Sequence, residues 1–417
     1  MKRLYKNLVM MCLACLVGML ASCSGSDYLN AIPKKSTALI SVDMQQMASD
    51  IHAEDKAGML KSLLHVEDVD KCGIDITEKM YLFESADGNL GLCAKVSSES
   101  DVEDWLASLA KQHIASEVKE RKGFHFAVLK DSWLVGFSDQ ALLVMGPVVA
   151  DAQAQLQQQM VRYLKAEEEE GITVSPLFER LQTITSPMAM VAQAQALPEK
   201  FIAPFTLGAP KDTDPSQVVI AAEMNVKDGI LQIHGETFSF NKTIDAALQK
   251  AAQTYRPIKG AYVKSMPGDA LAGIFMNVKG EQFLPMMQSN SSLQTLLMGI
   301  NQAVDMDNII RSVDGDMTIV MPTLGDADLK IMMAAKLAHS KWLGDVDYWK
   351  KSCPPGAKIA NWAKNAYFYT DGKTSFYFGV TYDKQFYSGS DELTAQYAVK
   401  PSNHPIDAKI QKLIVGQ

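Results

Sequence analysis

Hydrophobic positions along the chain fall into three kinds of run. The first is continuous: Leu8 to Leu20 is apolar throughout, thirteen residues with Lys2, Arg3 and Lys6 ahead of it. That length suits the h-region of a signal segment and is too short to cross a bilayer as a helix. The second kind alternates with a period of two, the mark of a half-buried strand. Ala38 to Val42 reads this way; Lys79 to Glu84, Leu90 to Val96, Phe124 to Leu129, Trp133 to Phe137, Leu142 to Met145, Val218 to Met224 and Ile230 to Phe240 are short strand-like runs. Asp87-Gly88-Asn89 and Lys227-Asp228-Gly229 supply hairpin turns between neighbours. The third kind repeats at three and four residues. Stretches around Gly58 to His65, from Ser100 through Trp105, Leu106 and Leu109, from Ala150 to Glu168 with Leu156, Met160 and Leu164 on one face, and from Thr243 to Tyr255 predict helices. Ser100-Asp101-Val102-Glu103 has the form of a capping box: the serine accepts the N3 amide proton and the glutamate reaches back to the N-cap amide. Glu167 to Glu170 oppose the dipole at the end of the third of these helices, which predicts a solvated tip.

Strands grouped in hairpins, helices interleaved irregularly and no regular βαβ alternation predict an α+β fold, antiparallel sheets with helices packed on one face. Beyond Lys259 the pattern of the first half starts again. Ile32-Pro33 leading to Ala38-Leu39-Ile40 and Asp43 is echoed by Met266-Pro267 leading to Ala272-Gly273-Ile274 and Asn277. Ala94-Lys95-Val96 before Trp105-Leu106 is echoed by Ala335-Lys336-Leu337 before Trp342-Leu343, and Ser132-Trp133-Leu134-Val135-Gly136 by Ser375-Phe376-Tyr377-Phe378-Gly379. Their common order predicts an internal duplication: an N-terminal α+β half over 36–256, with a middle region from 150, and a C-terminal half over 257–417.

The N-terminus changes the picture from fold to address. The apolar run ends in Leu20-Ala21-Ser22-Cys23, which resembles the bacterial lipobox, where the peptidase cuts after small residues and the next thiol takes a diacylglyceryl group. Residues 1–22 are then a lipoprotein signal peptide, Cys23 the lipidated residue and residues 23–35 a short polar tether; a plain signal peptide with a chance cysteine is the alternative. Two or more acyl chains hold a protein stably on a membrane where one does not. Cutting there leaves 37 cationic against 48 acidic residues, a net −11 where the whole chain carries −8. Such a body has no general attraction for nucleic acid or anionic headgroups. After Cys23 only Cys72, Cys93 and Cys353 remain, an odd and widely spaced set that is neither a disulfide framework nor a zinc site.

The search for chemistry returns little. Seven histidines stand singly, at 52, 65, 113, 125, 234, 339 and 404, in none of the spacings that ligate metal. Asp68-Val69-Asp70-Lys71-Cys72-Gly73 fails as a calcium loop at position 5, a cysteine, and at position 12, Lys79. No nucleophile elbow, Walker loop or dinucleotide fingerprint occurs, and Ser108-Leu109-Ala110-Lys111 lacks the companion motifs of a serine–lysine site. No catalytic residue, metal site or cofactor is assigned. Paired methionines at 188/190, 286/287 and 332/333 suit irregular cores better than copper. The aromatic segment Tyr367 to Tyr387 gives the candidate ligand-binding residues Tyr367, Tyr369, Tyr377 and Tyr382, for stacking on a sugar or a partner protein; cross-strand core packing is the alternative.

Tyr28-Leu29-Asn30-Ala31-Ile32-Pro33-Lys34-Lys35-Ser36 through Asp43, directly after the lipobox, and Gly73-Ile74-Asp75 before Met80-Tyr81-Leu82-Phe83, resemble a family of uncharacterised Bacteroidota lipoproteins. The resemblance implies a cell-envelope address and supplies no activity or site residues. Surface export in that group favours an acidic run after the lipidated cysteine. Ser24-Gly25-Ser26-Asp27 offers one acid, so the expected place is the outer membrane facing the periplasm, with the cell surface as the alternative. The first reading is a non-enzymatic, lipid-tethered binding or scaffold protein, in contact with the membrane through Cys23 and with a possible envelope protein partner. The second is a glycan- or small-ligand-binding lipoprotein using the aromatic C-terminal hairpins. The third is an envelope hydrolase whose site only the fold assembles.

Overall fold

The computed structural model describes residues 25–49, 71–227, 229–290, 294, 303–322, 330–373 and 375–417. The predicted helix around Gly58 to His65, the acidic stretch from Asp68 to Asp70, and Cys23 lie outside these residues. The chain forms two compact units, one of residues 1–199 with 215–238, the other of residues 200–214 with 239–417.

The first unit is built on a ten-stranded antiparallel sheet. Its strands are β1 (Ala38–Val42), β2 (Met80–Glu84), β3 (Leu90–Lys95), β4 (Lys119–Arg121), β5 (Phe124–Leu129), β6 (Trp133–Phe137), β7 (Ala141–Gly146), β8 (Met188–Gln193), β9 (Val219–Lys227) and β10 (Ile230–Phe238). They lie in the order β10-β9-β8-β1-β2-β3-β7-β6-β5-β4. The turn Lys122-Gly123 between β4 and β5 has both residues at positive φ, the two-residue form that matches strand twist. The helices are α1 (Met44–Ser49), α2 (Glu99–Lys111), α3 (Gln153–Leu164) and α4 (Pro176–Gln182), and the boundary helix α5 is Glu199–Phe205. Period-two alternation sends neighbouring residues to opposite faces. Leu143, Leu134 and Phe126 join Leu156 and Met160 of α3 and Leu177 and Leu181 of α4 in one core. Leu142, Val135 and Ala127 join Val102, Leu106 and Leu109 of α2 in another. The β3–β7–β6–β5 part of this sheet is therefore covered on both faces, one more than the sequence pattern predicts. The helix α2 starts earlier than expected: Ser98, not Ser100, is the N-cap and accepts from the Asp101 amide.

The second unit holds a seven-stranded antiparallel sheet of β11 (Ala272–Lys279), β12 (Val313–Met321), β13 (Met332–Leu337), β14 (Lys358–Ala363), β15 (Ala366–Thr370), β16 (Ser375–Val380) and β17 (Gln385–Gly389), in the order β11-β12-β13-β17-β16-β15-β14. Its helices are α6 (Lys242–Ala252), α7 (Gly280–Ser289), α8 (Met306–Arg311), α9 (Val346–Ser352), α10 (Glu392–Tyr397) and α11 (Ala408–Ile414). The helix α6, grouped with the first half on sequence grounds, belongs to this unit. One face of the sheet carries the larger core, with Phe283 and Leu284 of α7, Ile309 and Ile310 of α8, and Trp342 and Trp349 against Phe378 and Phe386.

The two sheets share one strand path. Read from β1, the first sheet runs β1-β2-β3-β7-β6-β5-β4; the second runs β11-β12-β13-β17-β16-β15-β14, the same path. The three sequence echoes fall on matching strands, β1 with β11, β3 with β13 and β6 with β16. The match extends past the sheet. Pro33 bridges Gly171 and the Lys34 amide donates to the Glu170 carbonyl; Pro267 bridges Pro405 and the Gly268 amide donates to the His404 carbonyl, at the same chain spacing. What distinguishes the first unit is the meander β8-β9-β10 added to the outer edge of β1.

Candidate functional site

The repeated units differ most in what covers the second face of the sheet. In the first unit α3, twelve residues long, and α4 seal it, with Leu156, Met160, Ile172, Leu177 and Leu181 buried. In the second unit the helix following the last strand, α10, has six residues. It lies directly on the sheet at Gly389, where a Cβ would stand 2.3 Å from the Ala395 amide nitrogen. Its N-cap is Asp391, whose carboxylate accepts from the Thr394 amide at 2.8 Å and pairs with the Lys330 ammonium at 3.1 Å. Burial alone would raise this carboxyl; the Thr394 donors and Lys330 outweigh it and hold it below the usual carboxylate range.

A depressed folded pKa fixes the sign of a pH effect. The contribution of Asp391 is present above the ordinary carboxylate pKa and is lost as pH falls through the lower folded value. Asp391→Ala is expected to cost about 1 kcal/mol as a lost cap. In urea melts the wild-type advantage over this variant should narrow on acidification; a gap that widened would contradict the assignment.

Beside so short a helix the sheet face carries only a small core, Val320, Met332 and Ala334 with Tyr262, Ala398 and the partly buried Met266 and Ala270. On one side is a cleft of about 630 Å³. Met332 of β13 is its buried floor, Leu393 and Tyr397 of α10 form one wall, and Pro267, Pro322 and Pro405 stand on the rim. Leu393 is 62% exposed and Tyr397 41%, apolar surface turned outward at a concavity. Polar side chains share the lining: Asp269, Thr394, Ser402, Asn403, His404 and the Tyr397 hydroxyl, with the Ser265 hydroxyl already donating to the Tyr262 carbonyl. A concavity with apolar walls and a set of convergent polar groups is the usual form of a small-molecule site.

On the other side of the same sheet face Trp362, Phe368, Tyr377 and Tyr387 form a half-buried aromatic cluster. Trp362 meets Tyr377 at 75° and Tyr387 at 83°, while Phe368 stacks on Tyr377 at 5.6 Å. The Trp362 Nε1–H donates to the Tyr367 carbonyl. Edge-to-face contacts turn the rings toward one another, which makes a self-packed cluster rather than a flat platform.

The four tyrosines singled out from sequence do not converge. Tyr367 and Tyr369 point into the larger core, Tyr367 beneath the Lys350 ammonium at 5.3 Å and Tyr369 against Phe376. Tyr377 faces the opposite way, into the aromatic cluster, and Tyr382 stands fully exposed on the turn between β16 and β17. Sequence reasoning missed the cleft. It is assembled from residues at 265–269, 322, 332, 393–397 and 402–405, and no spacing along the chain announces it. Among the described residues no group of three or more His, Cys, Asp or Glu is placed to hold a metal ion, and no helix is long and apolar enough to cross a membrane.

Fold and site together define an α+β protein of two topologically repeated units, each on an antiparallel sheet, with an apolar cleft in the second. The chain belongs to the family described as a domain of unknown function, DUF4836, whose model matches residues 28–408. No curated protein matches it. Two crystal structures of TP0453 are similar to part of the chain. Form IV shows 12% identity over 51% of this chain and 81% of that one with a TM-score of 0.32. Form III shows 13% identity over 54% and 84%, also with a TM-score of 0.32.

Proposed function

We propose that the chain is a lipid-tethered, non-catalytic binding protein of the cell envelope, cut before Cys23, whose second unit takes the apolar body of a small ligand in the cleft beside α10. The observation that carries this reading is the difference between the repeats: one sheet face lies under a large core in the first unit and under a small one in the second, where a cleft walled by Leu393 and Tyr397 remains beside α10. The tether reading rests on the lipobox and the apolar run ahead of it. An outer-membrane position facing the periplasm is part of the proposal, and so is a protein partner on the sheet surfaces.

The cleft is tested with an environment-sensitive aromatic sulfonate dye such as anilinonaphthalene sulfonate. Leu393→Asp and Tyr397→Ala are expected to weaken dye binding by about tenfold, a loss of roughly 1.4 kcal/mol, while leaving the melt near wild type because both side chains are already exposed. Dye binding unchanged in both variants would remove the cleft from consideration. The tether is tested by metabolic labelling with an alkynyl fatty acid. Cys23→Ala should lose the label and leave the membrane fraction; a labelled or membrane-bound variant would refute the anchor.

A further inference from the structure

A strand at the end of a sheet presents unpaired amides and carbonyls, and proteins that keep such an edge to themselves shorten it, charge it, bend it or cover it. The two sheets end in β10, β4, β11 and β14. Three of these are guarded. β4 is three residues long and reads Lys-Glu-Arg, all exposed. β14 begins with Lys358 and carries a register shift between Asn361 and Ala363. The outer side of β11 is covered at its C-terminal end: Tyr255 bridges Val278, the Arg256 amide donates to the Asn277 carbonyl, and the Asn277 side chain donates to the Pro257 carbonyl.

β10 is less guarded among the described residues: its one carboxylate, Glu236, is already paired with Arg180. It runs nine residues, Ile-Leu-Gln-Ile-His-Gly-Glu-Thr-Phe, in unbroken register with β9, and contains no lysine, arginine or proline. One of its faces is apolar and open. Leu231 is 54% exposed and Ile233 58%, with Val226 of β9 opposite Leu231 and Met224 opposite Ile233. An edge of this length, evenly paired on one side and apolar on its flank, is built to pair on the other.

We propose that β10 is a homodimerisation edge, and that its occupant is β10 of a second copy of this chain, running antiparallel about a two-fold axis at His234, so that two ten-stranded sheets become one. The sequence of the strand is self-complementary in this register, the one that pairs all nine residues. Ile233 falls opposite Gly235, whose missing side chain leaves room for it against Ala222. Leu231 falls opposite Thr237. On the other face Gln232 falls opposite Glu236, an amide donor against a carboxylate that already holds Arg180 at 2.6 Å. Glu236 and Asp or Glu of the second copy do not meet, because the strand's single acid lies away from the axis. A closed two-fold contact of this kind ends at the dimer. One strand seam with an apolar flank lies near the small end of stable interfaces, about 1,200 Å² in total, so the dimer should be concentration-dependent.

The test uses the full chain purified in detergent and followed by sedimentation velocity from roughly 1 to 200 µM, a span that brackets micromolar association. A monomer–dimer equilibrium is expected, with Ile233→Lys and Leu231→Lys each weakening it by at least about tenfold while the melt stays put. His234→Cys is expected to give a disulfide-linked dimer under mild oxidation that the parent chain does not give. A chain monomeric at the top concentration would overturn the proposal. So would a dimer indifferent to both lysine variants and not linked at position 234, or a monomeric chain in which these residues serve only to capture a different protein.

Discussion

Trp342→Ala is expected to cost the second unit about 3–5 kcal/mol, the usual range for deleting a large aromatic from a closed core. The indole is fully buried. It stacks on Trp349 with centroids 6.0 Å apart and planes 8° apart, and meets Phe386 at 76° and Phe378 at 41°. These partners come from α9, β17 and β16, so the side chain joins a helix to two strands and its removal leaves a void that rigid neighbours cannot fill. Trp342→Phe should cost much less. The Trp342 Nε1–H is buried with no hydrogen-bond partner among the described residues, so the phenyl ring loses volume but also sheds an unpaired polar group, itself worth roughly 1–3 kcal/mol. Denaturant unfolding that resolves the two units would show the second transition move to lower midpoint, strongly for alanine and weakly for phenylalanine, with the first transition fixed. Equal losses for both variants would mean that the indole N–H is satisfied in solution.

The strands that sequence reads well are those whose signal is local. β5 and β6 match the expected Phe124–Leu129 and Trp133–Phe137, and β1 matches Ala38–Val42, because each is a short, largely apolar run bounded by turn residues. β8 was not legible. Met188-Ala189-Met190-Val191-Ala192 has no polar position to set a period, and its identity as a strand comes from pairing β1 on one side and β9 on the other, far off in the chain. The α2 cap was displaced because Ser98 and Ser100 both fit the rule; the fold chooses Ser98, next to the turn at Gly73, whose carbonyl accepts from the Ser97 and Ser98 amides. The repeat could be read because its echoes lie on core strands. The cleft could not, because it arises from the short length of α10, and a six-residue helix differs from a twelve-residue one only in where its apolar pattern stops. The tyrosines show the same limit. Their alternation was readable, but which face is core depends on the helices stacked above it.

The second large effect is expected at Gly389. A methyl group there would lie 2.3 Å from the Ala395 nitrogen, 2.7 Å from its Cα and 2.8 Å from the Thr394 carbonyl carbon, all backbone. No side chain can rotate away to make room, so Gly389→Ala must lift α10 from the sheet. The helix has little to resist with. At six residues it is below the length at which a helix holds itself in water, and its stability is its docking plus the Asp391 cap. Overpacking of this kind costs about 1–3 kcal/mol. The local consequence should exceed the global one, because α10 is a wall of the cleft and Met332 its floor. Amide exchange in 392–397 should rise well above that of β13 and β17, and dye binding should fall further in Gly389→Ala than in Tyr397→Ala. A variant that melts like wild type and binds dye normally would mean that α10 sits farther from the sheet than the close contact at Gly389 implies. A variant that loses dye binding while β13 and β17 remain protected would tie the ligand site to the seating of one short helix, a feature in which the second repeat differs from the first.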